Sequence, residues 1–242
     1  MEKSKRRSTP ITRQSRAMDA ILSKTQKVRI SRNLGLGLSA QASGSEERDG
    51  DQSLVGPIPL HRVTRETDIL PVYQQTPVAD LLRLHNLDCP RRIYTRPALL
   101  IATCMDYRIQ LHLPDKFAFV LRLAGANLYQ REFDLACALA LAGLRHVCLI
   151  GHTQCAMVDL TAKRPTFVAG LARAGGWDPT EAGAYFESQI AHFHVADISR
   201  FVYQQALRLR TRYPGVLIAP LLLRLEDGLL YQLVEGGPGS EL

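Results

Sequence analysis

The chain has 242 residues, 46% of them hydrophobic and 22% charged, with a formal net charge of +7, which is the balance of a globular protein able to bury a sizeable core. No apolar run approaches the roughly 20 residues that a helix needs to cross a bilayer, so the reading is of a protein without a membrane span. Residues 1–34 hold ten Lys/Arg against Glu2 and Asp19, a balance of +8 that leaves the rest near −1; the basic excess belongs to a tail suited to an acidic protein partner, and a nucleic-acid-binding fold is not indicated.

Residues 1–56 are rich in Ser, Arg, Lys, Gln and Gly, with too few apolar side chains to offset the entropy of ordering them. They read as a disordered basic tail ending in a linker at Ser43–Asp51. Thr12–Lys27 could form a short amphipathic helix with Ala17, Ile21 and Leu22 on one side. A solvated tail, a segment that folds on docking to a partner, and an organellar transit peptide all stay open. Residues 57–96 read as a helical arm, clearest at Thr76–Leu87, where Pro77 occupies a first helical position and Val78, Leu81, Leu82 and Leu84 supply an apolar side.

From Pro97 the pattern is α/β and continues to residue 242 as one domain. Apolar runs at Ala98–Thr103, Phe117–Leu123, Val147–Ile150 and Val216–Leu223 predict parallel strands buried on both faces. Helical spacing fills Glu132–Leu144. A single long helix is predicted from Asp178-Pro179-Thr180-Glu181 to the stop at Tyr213-Pro214-Gly215. A hairpin at Leu225-Glu226-Asp227-Gly228-Leu229 then leads into an antiparallel fifth strand, Leu229–Val234. The fold class is therefore an open, mainly parallel sheet flanked by helices, whose sites form at the carboxyl ends of strands.

Two of those ends carry chemistry. Ile101–Arg108 reads IATCMDYR, placing Cys104, Asp106 and Arg108 at alternate positions. Val147–Met157 reads VCLIGHTQCAM, and His152 and Cys155 can share a face if a helix begins there. Two thiolates and an imidazole suit tetrahedral Zn(II) with a fourth position open to water. Taken singly, Asp106 and Arg108 could equally be a surface ion pair. The five cysteines are an odd number without framework spacing, and no secretory signal precedes them, so a reducing compartment, the cytoplasm, is expected. Cys137 and Cys148 read as small buried hydrophobes and Cys89 as a turn residue. His112, His146, His192 and His194 are proton-shuttle candidates only as any exposed histidine is.

The two motifs, in this order, resemble those of the beta class of carbonic anhydrases, and Arg122–Leu128 (RLAGANL) is similar to that family's Arg-x-Ala-Gly segment. The resemblance covers about the last 150 residues. It implies one Zn(II) per subunit on Cys104, His152 and Cys155, with Asp106 and Arg108 as catalytic dyad. It also implies a strand order of 2-1-3-4 plus a fifth strand, and an obligate homodimer with clefts at the subunit interface and N-terminal helices reaching onto the partner; a helix packed on its own domain is the other option for Thr76–Leu87. The implied reaction is reversible hydration of carbon dioxide to bicarbonate by hydroxide generated at the metal. Two departures stand out: Ala156 replaces the family's usual Gly, whose backbone N–H meets the substrate anion, and Ala126 stands where many members have Asn. A methyl group at Ala156 would be strained if φ there were positive. A carbonyl sulfide or carbon disulfide hydrolase, and a silent zinc-stabilised interaction protein, are the alternatives. The tail could tether the enzyme beside a carboxylase in a bacterial microcompartment.

Overall fold

The computed structural model describes residues 57–90 and 92–234; the basic tail, the Thr12–Lys27 segment and the linker lie outside the described residues. Six strands form one sheet: β1 (Leu60–Arg62), β2 (Leu99–Cys104), β3 (Ala118–Leu123), β4 (His146–His152), β5 (Leu217–Leu223) and β6 (Leu230–Leu233), in the order β1-β6-β5-β4-β2-β3. Strands β2 to β5 are mutually parallel and β6 is antiparallel to β5. The run β3-β2-β4-β5-β6 is the expected 2-1-3-4 order with its antiparallel fifth strand. A further edge strand, β1, pairs antiparallel with β6 through Leu60↔Leu233; three residues are too few to display a period in the sequence.

Strand β2 is buried at all six positions, because helices cover both faces of the sheet. Alternate residues go to opposite layers. Leu99, Ile101, Cys148, Ile150, Ala219 and Leu221 face α1 (Pro77–Asn86), whose Val78, Leu81 and Leu82 are fully buried. Leu100, Ala102, Val147, Leu149, Ile218 and Leu222 face α2 (Glu132–Ala142) and α5 (Ile198–Arg212).

Helix α1 begins where expected: the Thr76 hydroxyl accepts from the Val78 N–H at 3.2 Å, with Pro77 next. It packs on the sheet of its own chain. Asn86 at its end fastens it there, donating to the carbonyls of Val63 and Leu230 and accepting from the Leu230 N–H. Helix α2 ends at Gly143, whose φ of +70° makes a left-handed cap.

The single long helix expected after Asp178 is two helices, α4 (Pro179–Phe193) and α5. The chain breaks at His194–Asp197, where Val195 bridges to Val158 and Asp197 caps α5 by accepting from the Arg200 N–H at 2.7 Å. Both halves bury an apolar side, so the stripe ran on through the break. Helix α3 (Arg164–Gly175) was not anticipated; none of its residues is fully buried, and its apolar side, Phe167, Val168 and Leu171, is short and only half-covered.

Candidate metal centre

Strands β2 and β4 are adjacent, with Thr103 opposite Ile150, so Cys104 and His152 leave neighbouring strands at their carboxyl ends. Cys155 arrives differently from expectation. No helix begins at His152; the chain turns through Gln154, whose φ is +56°, and the Val158 N–H closes onto the Cys155 carbonyl at 3.1 Å. The first helical turn is the 3-10 segment Leu160–Lys163. The turn nevertheless delivers the sulfur. Cys104 Sγ and Cys155 Sγ lie 4.0 Å apart, and with a ring nitrogen of His152 they fall within 4.8 Å of one another, all three residues buried. Sulfurs sharing a tetrahedral zinc would be about 3.8 Å apart.

His152 is already oriented for a metal. Its Nδ1–H donates to the Thr153 carbonyl at 2.9 Å, which leaves the Nε2 lone pair aimed into the cluster. Among the described residues, that Nε2 is the one buried side-chain nitrogen or oxygen without a hydrogen-bond partner. Such an orphan costs about 1–3 kcal/mol unless something ligates it. The donor set and this orphaned atom fit a metal ion.

The two thiols titrate as a pair. The Cys155 S–H, hydrogen-bonded to Cys104, is the main cause that pulls Cys104 down; burial opposes it, and His152 and the backbone N–H groups of Asp106 and Gly125 add to it. The same bond and burial push Cys155 up, against the N–H of Met157. The first proton leaves readily and the second is held until a cation takes its place.

Asp106 and Arg108 form the fork that the sequence suggested. Arg108 Nε and Nη2 donate to the two carboxylate oxygens at 3.0 and 2.7 Å, and the Arg108 backbone N–H adds a third bond at 2.9 Å. The guanidinium holds the Asp106 carboxyl well below the usual carboxylate range. Arg122 of β3, known from the sequence only as part of a motif, spans the Cys104–Ile109 loop by donating to the carbonyls of Cys104, Asp106 and Ile109.

The segment after β3 is bent by two successive left-handed residues, Gly125 at φ +63° and Ala126 at φ +57°. A Cβ on Gly125 would lie 3.1 Å from Met157 Cγ, so glycine is required for space as well as for φ. Ala126 is fully buried in a conformation that costs a β-carbon about 1–2 kcal/mol. Gln205 holds it there, donating to the Ala126 carbonyl and accepting from the Leu128 N–H. Ala156, by contrast, is exposed and outside the left-handed region, which instead falls on Gln154; the anticipated strain is absent. The Ala156 carbonyl accepts from Lys163 Nζ at 2.7 Å.

The candidate shuttle histidines are engaged elsewhere. His112 packs on His85, His192 stacks on Tyr129 with ring centroids 4.0 Å apart, Thr161 bonds His194, and His146 starts β4 at the end away from His152. Cys148 is buried and Cys137 half-buried. The sequence reading missed Glu226, which accepts from Thr153 Oγ1 at 2.8 Å and Gln154 Nε2 at 3.1 Å beside the cluster; its surroundings had signalled only a turn.

No family model matches the sequence and no curated protein matches it. Among solved structures, the chain is similar to beta-carbonic anhydrase isoform I of the protozoan Trichomonas vaginalis, at 18% identity over 66% of this chain and 96% of that chain with a TM-score of 0.50. It is also similar to a carbonic anhydrase from Glaciozyma antarctica (20% identity, 69% and 100% covered, TM-score 0.48) and to the apo form of a carbon disulfide hydrolase (16%, 61% and 87%, 0.43). The likeness to the Trichomonas structure shows that the α/β fold described above is that of a beta-carbonic anhydrase.

Proposed function

We propose that this chain is a carbonic anhydrase of the beta class, a zinc lyase that interconverts carbon dioxide and bicarbonate. The observation that carries the reading is the orphaned His152 Nε2, converging with two thiols beside a carboxylate that an arginine keeps ionised. Cys104, His152 and Cys155 are the residues that would hold one Zn(II) per chain, and zinc there supplies the Lewis acidity that makes water nucleophilic near neutral pH.

The residues around it divide the remaining work. Asp106, ionised, is an acceptor only. Its Oδ2 is 3.9 Å from His152 Nε2, so it would accept a hydrogen bond from a water held beside the three donors and orient that water. Arg108 occupies the carboxylate with two bonds, which keeps Asp106 from taking up the proton. Arg122 fixes the loop that carries both Cys104 and Asp106. The exposed backbone of Ala156, next to Cys155, is the contact proposed for the bicarbonate anion.

We also propose a homodimer or larger homo-oligomer. Among the described residues, strand β3 pairs on one side only, with β2, and Met105 and Tyr107, 65% and 86% exposed, flank Asp106 with apolar surface that a second copy would cover. All five cysteines are free thiols, which supports a cytoplasmic or other reducing compartment, and no described helix is long and apolar enough to cross a membrane. The basic segment 1–34 is assigned to docking an acidic protein; a pull-down unchanged by deletion of residues 1–50 would remove that assignment.

The test is stopped-flow hydration of carbon dioxide by the zinc-loaded chain. Activity that disappears in Cys104→Ala supports the reading. A zinc-loaded chain that leaves carbon dioxide untouched but turns over carbon disulfide or carbonyl sulfide would move the assignment to a hydrolase, and one inert to all of them would make it a zinc-stabilised interaction protein.

A further inference from the structure

A chain of polar groups beyond the donors and the dyad runs round the metal position. Gln154 stands between His152 and Cys155, and Arg108 donates to it twice, from Nη2 to its backbone carbonyl at 3.0 Å and from Nη1 to Oε1 at 3.3 Å. On its far side Gln154 Nε2 donates to Glu226 Oε1 at 3.1 Å. Glu226 is itself anchored: Oε2 accepts from Thr153 Oγ1 at 2.8 Å, which in turn accepts from the Leu225 N–H at 2.9 Å, and Arg224 Nε lies 3.7 Å away. The series Asp106, Arg108, Gln154, Glu226 thus ties together the loops leaving the carboxyl ends of β2, β4 and β5.

The Gln154 amide can serve this series in one orientation only. Flipped, its NH2 would face the guanidinium and its oxygen would face the carboxylate. A charged side chain there could satisfy Arg108 or Glu226 but never both. Without the Gln154 side chain, Arg108 loses its Oε1 partner and keeps only Asp106 and the backbone carbonyl of residue 154, at a position more than a third exposed to solvent. Asp106, once released, is an anionic oxygen ligand 3.9 Å from His152 Nε2, within a side-chain rotation of the metal position.

We propose that Gln154 and Glu226 are positioning residues that hold Arg108 on Asp106 and so keep Asp106 from closing the metal's open position. This rests on the zinc reading given above.

The experiment uses the full chain loaded with Co(II) in place of zinc, followed by visible absorption during azide titration. Glu226 is the residue to change first, since it touches none of the three donors; Gln154→Ala is the second variant. The parent is expected to bind one cobalt and to shift its spectrum with azide. Glu226→Ala should bind cobalt equally but respond to azide about tenfold more weakly, with the response restored by adding Asp106→Asn and largely retained in Glu226→Gln. An azide response in Glu226→Ala and Gln154→Ala equal to the parent's would overturn the proposal, as would failure of Asp106→Asn to restore it or a parent blind to azide. Cobalt uptake that is the same in the parent and in Cys104→Ala is a different failure, that of the metal reading itself.

Discussion

Oδ2 of Asp106 lies 3.9 Å from Nε2 of His152, while Arg108 Nη2 reaches the same oxygen at 2.7 Å. The carboxylate therefore stands between the metal position and a guanidinium, and its protonation state belongs to Arg108. Removing the guanidinium in Arg108→Ala lets the carboxyl return toward the ordinary value of about 3.9. Carbon dioxide hydration should fall about 100-fold, and the acid limb of its pH profile should move to higher pH. A carboxyl depressed in the folded state contributes stability above its unfolded pKa and loses it as pH falls. The melting-temperature gap between parent and Arg108→Ala should accordingly narrow below about pH 4.

Chelation should destabilise the chain visibly. Metal at a thousandfold over its dissociation constant stabilises a fold by about 4 kcal/mol, and at about 2–4 °C per kcal/mol the melting temperature should drop by roughly 10 °C on stripping. Acid should shrink the difference, since protons compete for Cys104 and Cys155. Scanning calorimetry with and without chelator at two pH values tests both statements.

The Met157 side chain lies over the space that a β-carbon on Gly125 would enter, and Met157 aims its N–H at the Cys155 sulfur. Gly125→Ala adds a β-carbon at φ +63° against that side chain, and we expect a loss of about 2 kcal/mol in a urea melt. Metal affinity should weaken with it. Ala126→Gly, which relieves the next left-handed residue, should be neutral or stabilising by up to about 1 kcal/mol.

Leu82 of α1 is fully buried against the chain's own sheet. Leu82→Ala should cost about 2–5 kcal/mol. Because the helix packs within its chain, that cost should not depend on protein concentration, as it would if the helix were an arm laid on a partner.

The sequence was most informative where a strand is buried on both faces. The predicted run Ala98–Thr103 falls within one residue of Leu99–Cys104 at each end because every position there is buried, whereas the parallel sheet order was implied only by the family resemblance. His152 was legible for the same reason, at the end of β4. Cys155 joins the cluster through a local structure other than the helix expected. A left-handed Gln154 has no compositional signal of the kind that glycine gives, so a helix was the natural guess. Helix α3 was missed because its apolar side is short and only half-buried, and the break before Ile198 was masked by apolar residues on both sides of it. Glu226 is 72 residues from Gln154, and only folding brings the two together.

On the proposed reading, Cys104, His152 and Cys155 hold zinc and leave one position open. X-ray absorption at the zinc edge of the purified full chain tests it most directly. The expected result is one zinc per chain with two sulfur scatterers at about 2.3 Å and two nitrogen or oxygen scatterers at about 2.0–2.1 Å, one sulfur disappearing in Cys155→Ser. A chain that takes up no zinc, or one whose zinc keeps both sulfurs in that variant, would contradict it.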